Sequence, residues 1–446
     1  MKIGWISLGC PKNQVDTDYM IGLMNEAGFT LTPAPEEAEV LVINTCAFIQ
    51  PATQESIDTI LEFAQYKEEK CRLLVVVGCL AQRYKEKLAK AIPEVDLWLG
   101  TGDYSRLPEL VTAALGAKPE EIFVAETEGG WLPPADQERP LSTAPFLAYV
   151  KIAEGCDHRC LYCIIPQLKG RYRSRRPEAI EAEVKQLLAR GVKEIILVAQ
   201  DTTAYGTDSG GEFDLPQLLS NLDKLDGEFW IRLMYTYPSR IDDRLLTVFK
   251  EAKHICHYLD LPLQHINDRV LRRMGRKTTT REIKELIVKI RAYLPDIALR
   301  STFILGYPGE TEEEFNELLA FLREYQLDWV GTFPYYREAG TAAAKIKPQV
   351  HPATRKRRAR QLIQEQQAIS FQKNRELIGR EIMVLLEKED DNGWVGRSYR
   401  EAPEIDGIIK LDGEGAEARR LQPGSFVRAV VTGADVYEIY ARIKNP

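Results

Sequence analysis

The stretch EGCDHRCLYC, residues 154–163, places thiols at Cys156, Cys160 and Cys163 in a C-x3-C-x2-C spacing, directly after the apolar strand LAYVKIAE. A structural zinc site takes four protein ligands, and an iron–sulfur cluster held only by cysteine also takes four. No fourth Cys or His follows at ligand spacing, and His158 lies too near its neighbours in sequence to complete a tetrahedron easily. Three thiolates leave one coordination position open. An open position is where a metal site does chemistry, so the loop reads as the seat of a reactive cluster.

Outward from this loop, residues 147–335 repeat a strand–helix pattern about six times. The strands are LAYVKIAE, EIILVAQD, WIRLMYTYP, YLDLPLQH, ALRSTFILG and WVGTFPYY, with helices such as RPEAIEAEVKQLLARG and TEEEFNELLAFLREYQ between them. A closed barrel of the usual kind needs eight such units. Six predict an open or partial (β/α)6 barrel. Upstream, residues 1–115 alternate KIGWISLG, EVLVINTC, RLLVVVGC and LWLGTG with helical segments, one of them running to residue 69. Nearly continuous apolar strands alternating with helices predict an α/β domain with a parallel sheet covered on both faces. EGGWLPPADQERP, rich in Gly, Pro and charge, reads as a linker. Beyond a charged helix at 350–375, short strands separated by Gly-rich turns predict a small antiparallel β-barrel. The expected division is 1–117, a linker at 118–146, 147–374 with the linking helix, and 375–446.

A second set of cysteines is far apart in sequence. Cys10, Cys46 and Cys79 end the predicted strands SLGC, INTC and VVGC. Open parallel sheets bind ligands beyond the carboxyl ends of their strands, so three thiols converge on one sheet edge. Free cysteines are often simply core, but three at equivalent strand ends read as a shared metal site, again with a position open. Cys71 and Cys256 read as core or strand-flanking. His254, His257 and His265 flank the fourth barrel strand, where they either touch a substrate or serve as structural histidines. GYPGETEEEF (306–315) lacks the Lys-Ser/Thr of a phosphate loop, and Thr311 there reads as a helix N-cap.

The 446 residues are 44% hydrophobic with a formal net charge of -7, which fits a globular chain and not a basic nucleic-acid binder. No run of eighteen apolar residues suggests a membrane span. The start, MKIGWISLGCPKN, goes straight into a strand without a signal-peptide pattern, so the expected location is cytoplasmic.

The C-x3-C-x2-C loop after the first strand of a β/α barrel, with Tyr162 before the third thiol, resembles the radical S-adenosylmethionine (SAM) superfamily. The whole chain resembles its methylthiotransferase family: an N-terminal domain with three strand-end cysteines, a radical barrel and a C-terminal TRAM barrel. FILGYPGET and LPLQHINDRVLRRMGRKTT are similar to that family's barrel segments. The resemblance implies two 4Fe-4S clusters, one on Cys10, Cys46 and Cys79 and one on Cys156, Cys160 and Cys163, with SAM at the second. It implies two uses of SAM: methylation of sulfur carried by the first cluster, then cleavage to a 5'-deoxyadenosyl radical that takes hydrogen from an unactivated carbon. No protein acid or base is expected beyond the ligands. Gln200, Asp201, Arg300 and Thr302, at barrel strand ends, are candidates to grip SAM, with packing or capping roles equally open.

SLGCPKNQVDTD and SYREAPEIDGIIKL resemble the ribosomal-protein (RimO) type, which modifies the β-carbon of an aspartate on the twelfth small-subunit protein. The tRNA type reads closer to GCQMN. Charge points the same way. From Arg375 onward there are 11 Lys and Arg against 14 Asp and Glu, a net of about -3. Binding to RNA depends on neutralising phosphates, so this barrel is better matched to a basic ribosomal protein, and nucleic-acid binding is not expected. RKRRAR, Arg355–Arg360, is either a nucleic-acid patch or the solvated face of the linking helix. An electron donor such as flavodoxin or ferredoxin is implied. Two other classes fit less of the chain. An iron–sulfur carrier would not need the barrel, and a non-catalytic ribosome-binding factor would not need six aligned thiols.

Overall fold

The computed structural model describes residues 1–444 apart from residues 85, 103, 117–122, 126–128, 135, 136, 392 and 413–420. The first sheet is parallel throughout. It contains β1 (Lys2–Ser7), β2 (Thr30–Leu31), β3 (Val40–Thr45), β4 (Leu73–Gly78), β5 (Leu97–Leu99) and β6 (Phe123–Ala125), in the order β2-β1-β3-β4-β5-β6. VLVINT and LLVVVG, the strands β3 and β4, are buried along their whole length, as central strands covered on both faces must be. The strand order reverses between β1 and β3, so the crevice such sheets use for ligands opens beyond those two strands. The helix expected to run to residue 69 stops at Ala64 and continues as a 3-10 turn over Gln65–Glu68.

The expected linker at 118–146 needs correction. β6 lies inside it and completes the first sheet. Trp131 and Arg139 farther along are buried, and Arg139 pairs with Asp18 (2.6 Å) and Glu183 (2.9 Å). Composition marks Gly, Pro and charge as loop, but a paired guanidinium is buried readily, and pairing is invisible in composition.

The second sheet is formed by β7 (Leu147–Lys151), β10 (Glu194–Val198), β11 (Trp230–Leu233), β12 (Ile255–Asp260), β13 (Ala298–Leu305) and β14 (Trp329–Pro334). They are all parallel and ordered as in the chain, which gives the six-stranded open barrel. A short hairpin, β8 (Ala153–Glu154) with β9 (Arg173–Ser174), closes over the cysteine loop. The helix Glu312–Tyr325 begins with the Thr311 N-cap and a capping box with Glu314.

The third part is a closed five-stranded barrel of β15 (Glu381–Asp390), β16 (Gly393–Arg397), β17 (Ile408–Asp412), β18 (Phe426–Ala434) and β19 (Glu438–Ile443). It is not wholly antiparallel as expected, because β17 and β19 pair in parallel to close it. Short strands between turns do not reveal which non-sequential pair makes the seam. One apolar cluster runs from Val42 and Val75 through Tyr149, Ile196 and Trp329 to Leu385 and Ala402, so the three parts share a core.

The segment 398–406, between β16 and β17, docks the last barrel onto the second. Trp329 Nε1 donates to the Arg400 carbonyl (2.7 Å), Arg397 pairs with Glu194 (2.6 Å), and Asp406 accepts from Tyr258 Oη (2.7 Å) and Arg300 Nε (3.3 Å). Burial pushes the Asp406 carboxyl up from its ordinary 3.8 to about 6, against the opposing pull of Arg300 and Tyr258. A raised folded pKa means the native state binds the proton more readily than the unfolded chain between those values, so stability rises as pH falls through that window. Urea denaturation is therefore expected to show wild type gaining stability relative to Asp406→Asn as pH falls from 7 to 4. Parallel pH profiles would refute this.

Candidate metal centres

Cys10, Cys46 and Cys79 follow β1, β3 and β4, three adjacent strands, at the edge where the strand order reverses. Cys10 is the N-cap of the helix Pro11–Glu26, and Cys79 opens the helix Cys79–Tyr84. Gly9 and Gly78 hold positive φ (94° and 96°). A Cβ on Gly9 would lie 2.7 Å from Cys46 Cβ, so only glycine lets the first loop pass flush over the second thiol. Asn13 ties the loops together by donating to the carbonyls of Leu8 (3.2 Å) and Thr45 (3.0 Å).

Cys156, Cys160 and Cys163 share the loop after β8. The Cys156 amide donates to the Gly170 carbonyl (3.1 Å), the Leu161 amide to Met274 (2.8 Å), and the Ile165 amide to the Cys163 sulfur (3.4 Å). Gly155 has φ 85°, and a Cβ there would collide with the Arg171 carbonyl oxygen. Gly155→Ala is expected to add about 1–3 kcal/mol of backbone strain to that clash. Iron bound at this loop after reconstitution should fall while the first site keeps its own. Unchanged iron content would contradict the prediction.

The donor sets fit iron–sulfur clusters. Burial pushes the thiols of Cys46 to about 11 and of Cys79, Cys156 and Cys163 to about 12. They become thiolates when a cationic cluster supplies compensating charge. Among the described residues, no three Cys, His, Asp or Glu side chains converge tightly enough for a single metal ion.

The two triads are linked directly. The helix Ile165–Lys169, just after Cys163, packs through Ile164 and Leu168 against Cys79 and Leu80, and Thr101 Oγ1 donates to the Leu168 carbonyl (2.5 Å). Between them lies a buried charge cluster. Lys151 pairs with Asp16 and with Glu154 (2.7 Å), and Lys169 pairs with Asp16 (3.1 Å) and Glu154 (3.6 Å). Burial alone would raise the Glu154 carboxyl, but Lys151 and Lys169 outweigh it and hold it below the usual carboxylate range.

A cavity of about 320 Å³ opens beside Cys156, lined by Asp157, His158, Tyr172, Tyr237, Arg240 and Lys277 among others. His158 stacks on Tyr237 (3.9 Å between centroids) and its Nε2 contacts Asp201 Oδ2 at 2.7 Å. Arg276 lies over the same tyrosine (4.1 Å) and donates to the Pro262 carbonyl (2.8 Å).

The four side chains expected to grip SAM fare differently. Gln200 donates to Glu154 (2.5 Å), and its Oε1 is buried without a partner, free to accept from a ligand. Both Asp201 oxygens are occupied, one by His158 and the other by Thr203 (2.5 Å) and the Ala204 amide (3.2 Å), so Asp201 positions the cysteine loop. Arg300 is held by Asp260 (2.8 Å) and Asp406 (3.3 Å), and Thr302 accepts from Arg300 (3.3 Å). Asp201 lies just past the end of β10, but Arg300 and Thr302 are the third and fifth of the eight residues of β13, not at its end, and internal partners already claim all three.

Sequence reading weighed His158 only as a metal ligand and did not single out Tyr237 or Arg276, which stand far from the loop 156–163 in sequence and offered no local signal. His254, His257 and His265 are structural: His254 stacks on Phe229 (4.1 Å), His257 contacts Asp296 (2.8 Å), and His265 is fully buried. Cys71 and Cys256 sit in apolar clusters. RKRRAR is largely spent on the barrel. Arg355 donates to the Tyr335 carbonyl (2.7 Å), Arg357 pairs with Glu312 (2.9 Å) and Arg358 with Glu310 (2.7 Å).

An open six-stranded barrel carrying a three-cysteine loop, joined to a parallel sheet with three more thiols, defines a radical SAM protein with a second cluster site. Family models match accordingly: Uncharacterized protein family UPF0004 over residues 2–100, the Radical SAM superfamily over 150–322 and the TRAM domain over 378–443. The ribosomal protein uS12 methylthiotransferase RimO of Desulforudis audaxviator is 46% identical over 444 residues, covering 99% of this chain and 97% of that one. Those of Desulforamulus reducens (45%, 99% of each) and Geobacter sulfurreducens (43%, 99% and 98%) are similar. The chain belongs to the RimO family of ribosomal protein uS12 methylthiotransferases. In fold it resembles the radical SAM methyltransferase TsrM from Kitasatospora setae, solved with cobalamin and a 4Fe-4S cluster bound (TM-score 0.58, 15% identity, 77% and 76% of the two chains).

Proposed function

We infer that this chain is a radical SAM methylthiotransferase that replaces a hydrogen on the β-carbon of an aspartate of ribosomal protein uS12 with a methylthio group. Identity of 46% to a uS12 methylthiotransferase over 99% of this chain, together with two sets of three thiols, carries the reading. Cys10, Cys46 and Cys79 hold one 4Fe-4S cluster, and Cys156, Cys160 and Cys163 hold the other, which takes SAM. When bound, these groups supply the electron, the methylated sulfur and the radical that removes hydrogen from carbon.

The protein's own part is placement and exclusion of water. Asp201 and His158 set the pose of the radical loop, and Gln200 offers a free acceptor to SAM. The Lys151–Asp16–Lys169–Glu154 cluster seals the seam between the two sites. The chain falls into the N-terminal cluster domain, the radical barrel with its linking helix, and the TRAM barrel. The acidic TRAM barrel faces basic uS12, and a flavodoxin or ferredoxin supplies electrons. The setting is the cytoplasm. No helix among the described residues is long and apolar enough to cross a membrane.

The test is anaerobic reconstitution with SAM, reductant and sulfide. Mass spectrometry then follows uS12 and, separately, an isopentenylated anticodon stem-loop. A methylthio gain on uS12 alone is expected. Gain on the RNA alone would reverse the substrate assignment.

A further inference from the structure

Lys12 differs from the other buried cations along the contact between the first domain and the barrel. Lys151 and Lys169 share Asp16 and Glu154, and Arg139 has Asp18. Lys12 is only 9% exposed, yet among the described residues it forms no ion pair with a carboxylate. It stands two residues after Cys10, in the first turn of the helix Pro11–Glu26. Its Nζ lies 3.4 Å from the centroid of the Tyr235 ring, across the gap at the end of β11.

Tyr235 is held there under strain. Its φ is 61°, a left-handed value uncommon for a non-glycine residue. Its amide donates to Asp260 Oδ2 (3.0 Å), and its carbonyl accepts from the Thr202 amide (3.0 Å). Such strain persists only where the surroundings over-determine it, and it clusters at functional sites. The ring supports an ammonium without neutralising it. The result is a buried cation beside Cys10 with no carboxylate at ion-pair distance, attracted only from farther off by Glu154. Burying a charge unpaired is costly, and a ligand carboxylate would remove that cost.

We propose that Lys12 is the binding residue for the side-chain carboxylate of the substrate aspartate, which makes it the determinant of carboxylate over uncharged substrates. The proposal rests on the uS12 reading given above. The carboxylate carbon is bonded directly to the β-carbon, so an ammonium–carboxylate hydrogen bond of about 2.7–2.9 Å fixes the reacting carbon within one bond of a fixed point.

The experiment measures binding of full-length uS12, carrying either aspartate or asparagine at the modified position, to the two-cluster protein with SAM and without reductant, so that nothing turns over. Wild type should favour the aspartate form by about tenfold to a hundredfold, the range for a hydrogen bond to a charged group. Lys12→Met, similar in length and uncharged, should bind both forms equally, at the wild-type level for asparagine. Iron content is read on the same samples. If Lys12→Met retains the preference, the proposal is overturned. If it retains the preference while losing iron at the first site, the lysine instead balances cluster charge. If wild type binds both forms equally, this proposal fails while the uS12 reading stands. If wild type binds neither, that reading falls and takes the proposal with it.

Discussion

Cys79→Ala is expected to separate the two halves of the reaction. The variant should still make 5'-deoxyadenosine from SAM, because Cys156, Cys160 and Cys163 lie on the barrel loop, where the Cys156 amide donates to Gly170, the Leu161 amide to Met274 and the Ile165 amide to the Cys163 sulfur, none of them in the first sheet. Methylthio transfer to uS12 should drop to background. Cys156→Ala should abolish both. Anaerobic chromatography of 5'-deoxyadenosine alongside mass spectrometry of uS12 reads the two activities separately. Equal loss of both in Cys79→Ala would mean that the first thiol set supports the radical site itself. The packing of Cys79 against Ile164 and Leu168 makes that outcome a real alternative, and retention of iron at the barrel loop distinguishes it from misfolding.

The second large effect is on stability. Glu154 is fully buried and answers both Lys151 and Lys169. Glu154→Gln leaves two ammonium groups sharing Asp16, and removal of one member of a buried ionic group costs about 3–5 kcal/mol. Urea denaturation should register a loss of that order, with the first domain and the barrel losing cooperativity together. Gln200 would lose its carboxylate partner, so SAM affinity should fall in the same variant. A loss below about 1 kcal/mol, the usual scale of an exposed ion pair, would show that water reaches the cluster.

Much of this was legible in the sequence because it rested on periodicity and spacing. VLVINT and LLVVVG read as central strands because their apolar runs are continuous, and their final residues placed Cys46 and Cys79 on one edge. C-x3-C-x2-C announced the radical loop by arithmetic alone. What stayed hidden depends on long-range pairing. Asp201 follows the end of β10 and Arg300 sits third among the eight residues of β13, yet His158 and Asp406, the latter over a hundred residues away from Arg300, claim them. Lys12, Asp16 and Asp18 belong to a helix with polar residues on its buried faces. A sequence pattern reads those as solvent-facing until their partners on the barrel are known. β6 is only three residues long, too short for alternation to register.

The docking segment 398–406 bears on how the chain can be cut or recombined. It supplies the carbonyl that satisfies Trp329 Nε1 and a carboxylate that Arg300 and Tyr258 both use. The TRAM barrel is therefore not an interchangeable cassette. A chimera with another protein's barrel would strip partners from buried groups of the second sheet unless these nine residues travelled with the host. A change of substrate preference in such a hybrid would then mix altered recognition with a loosened barrel core.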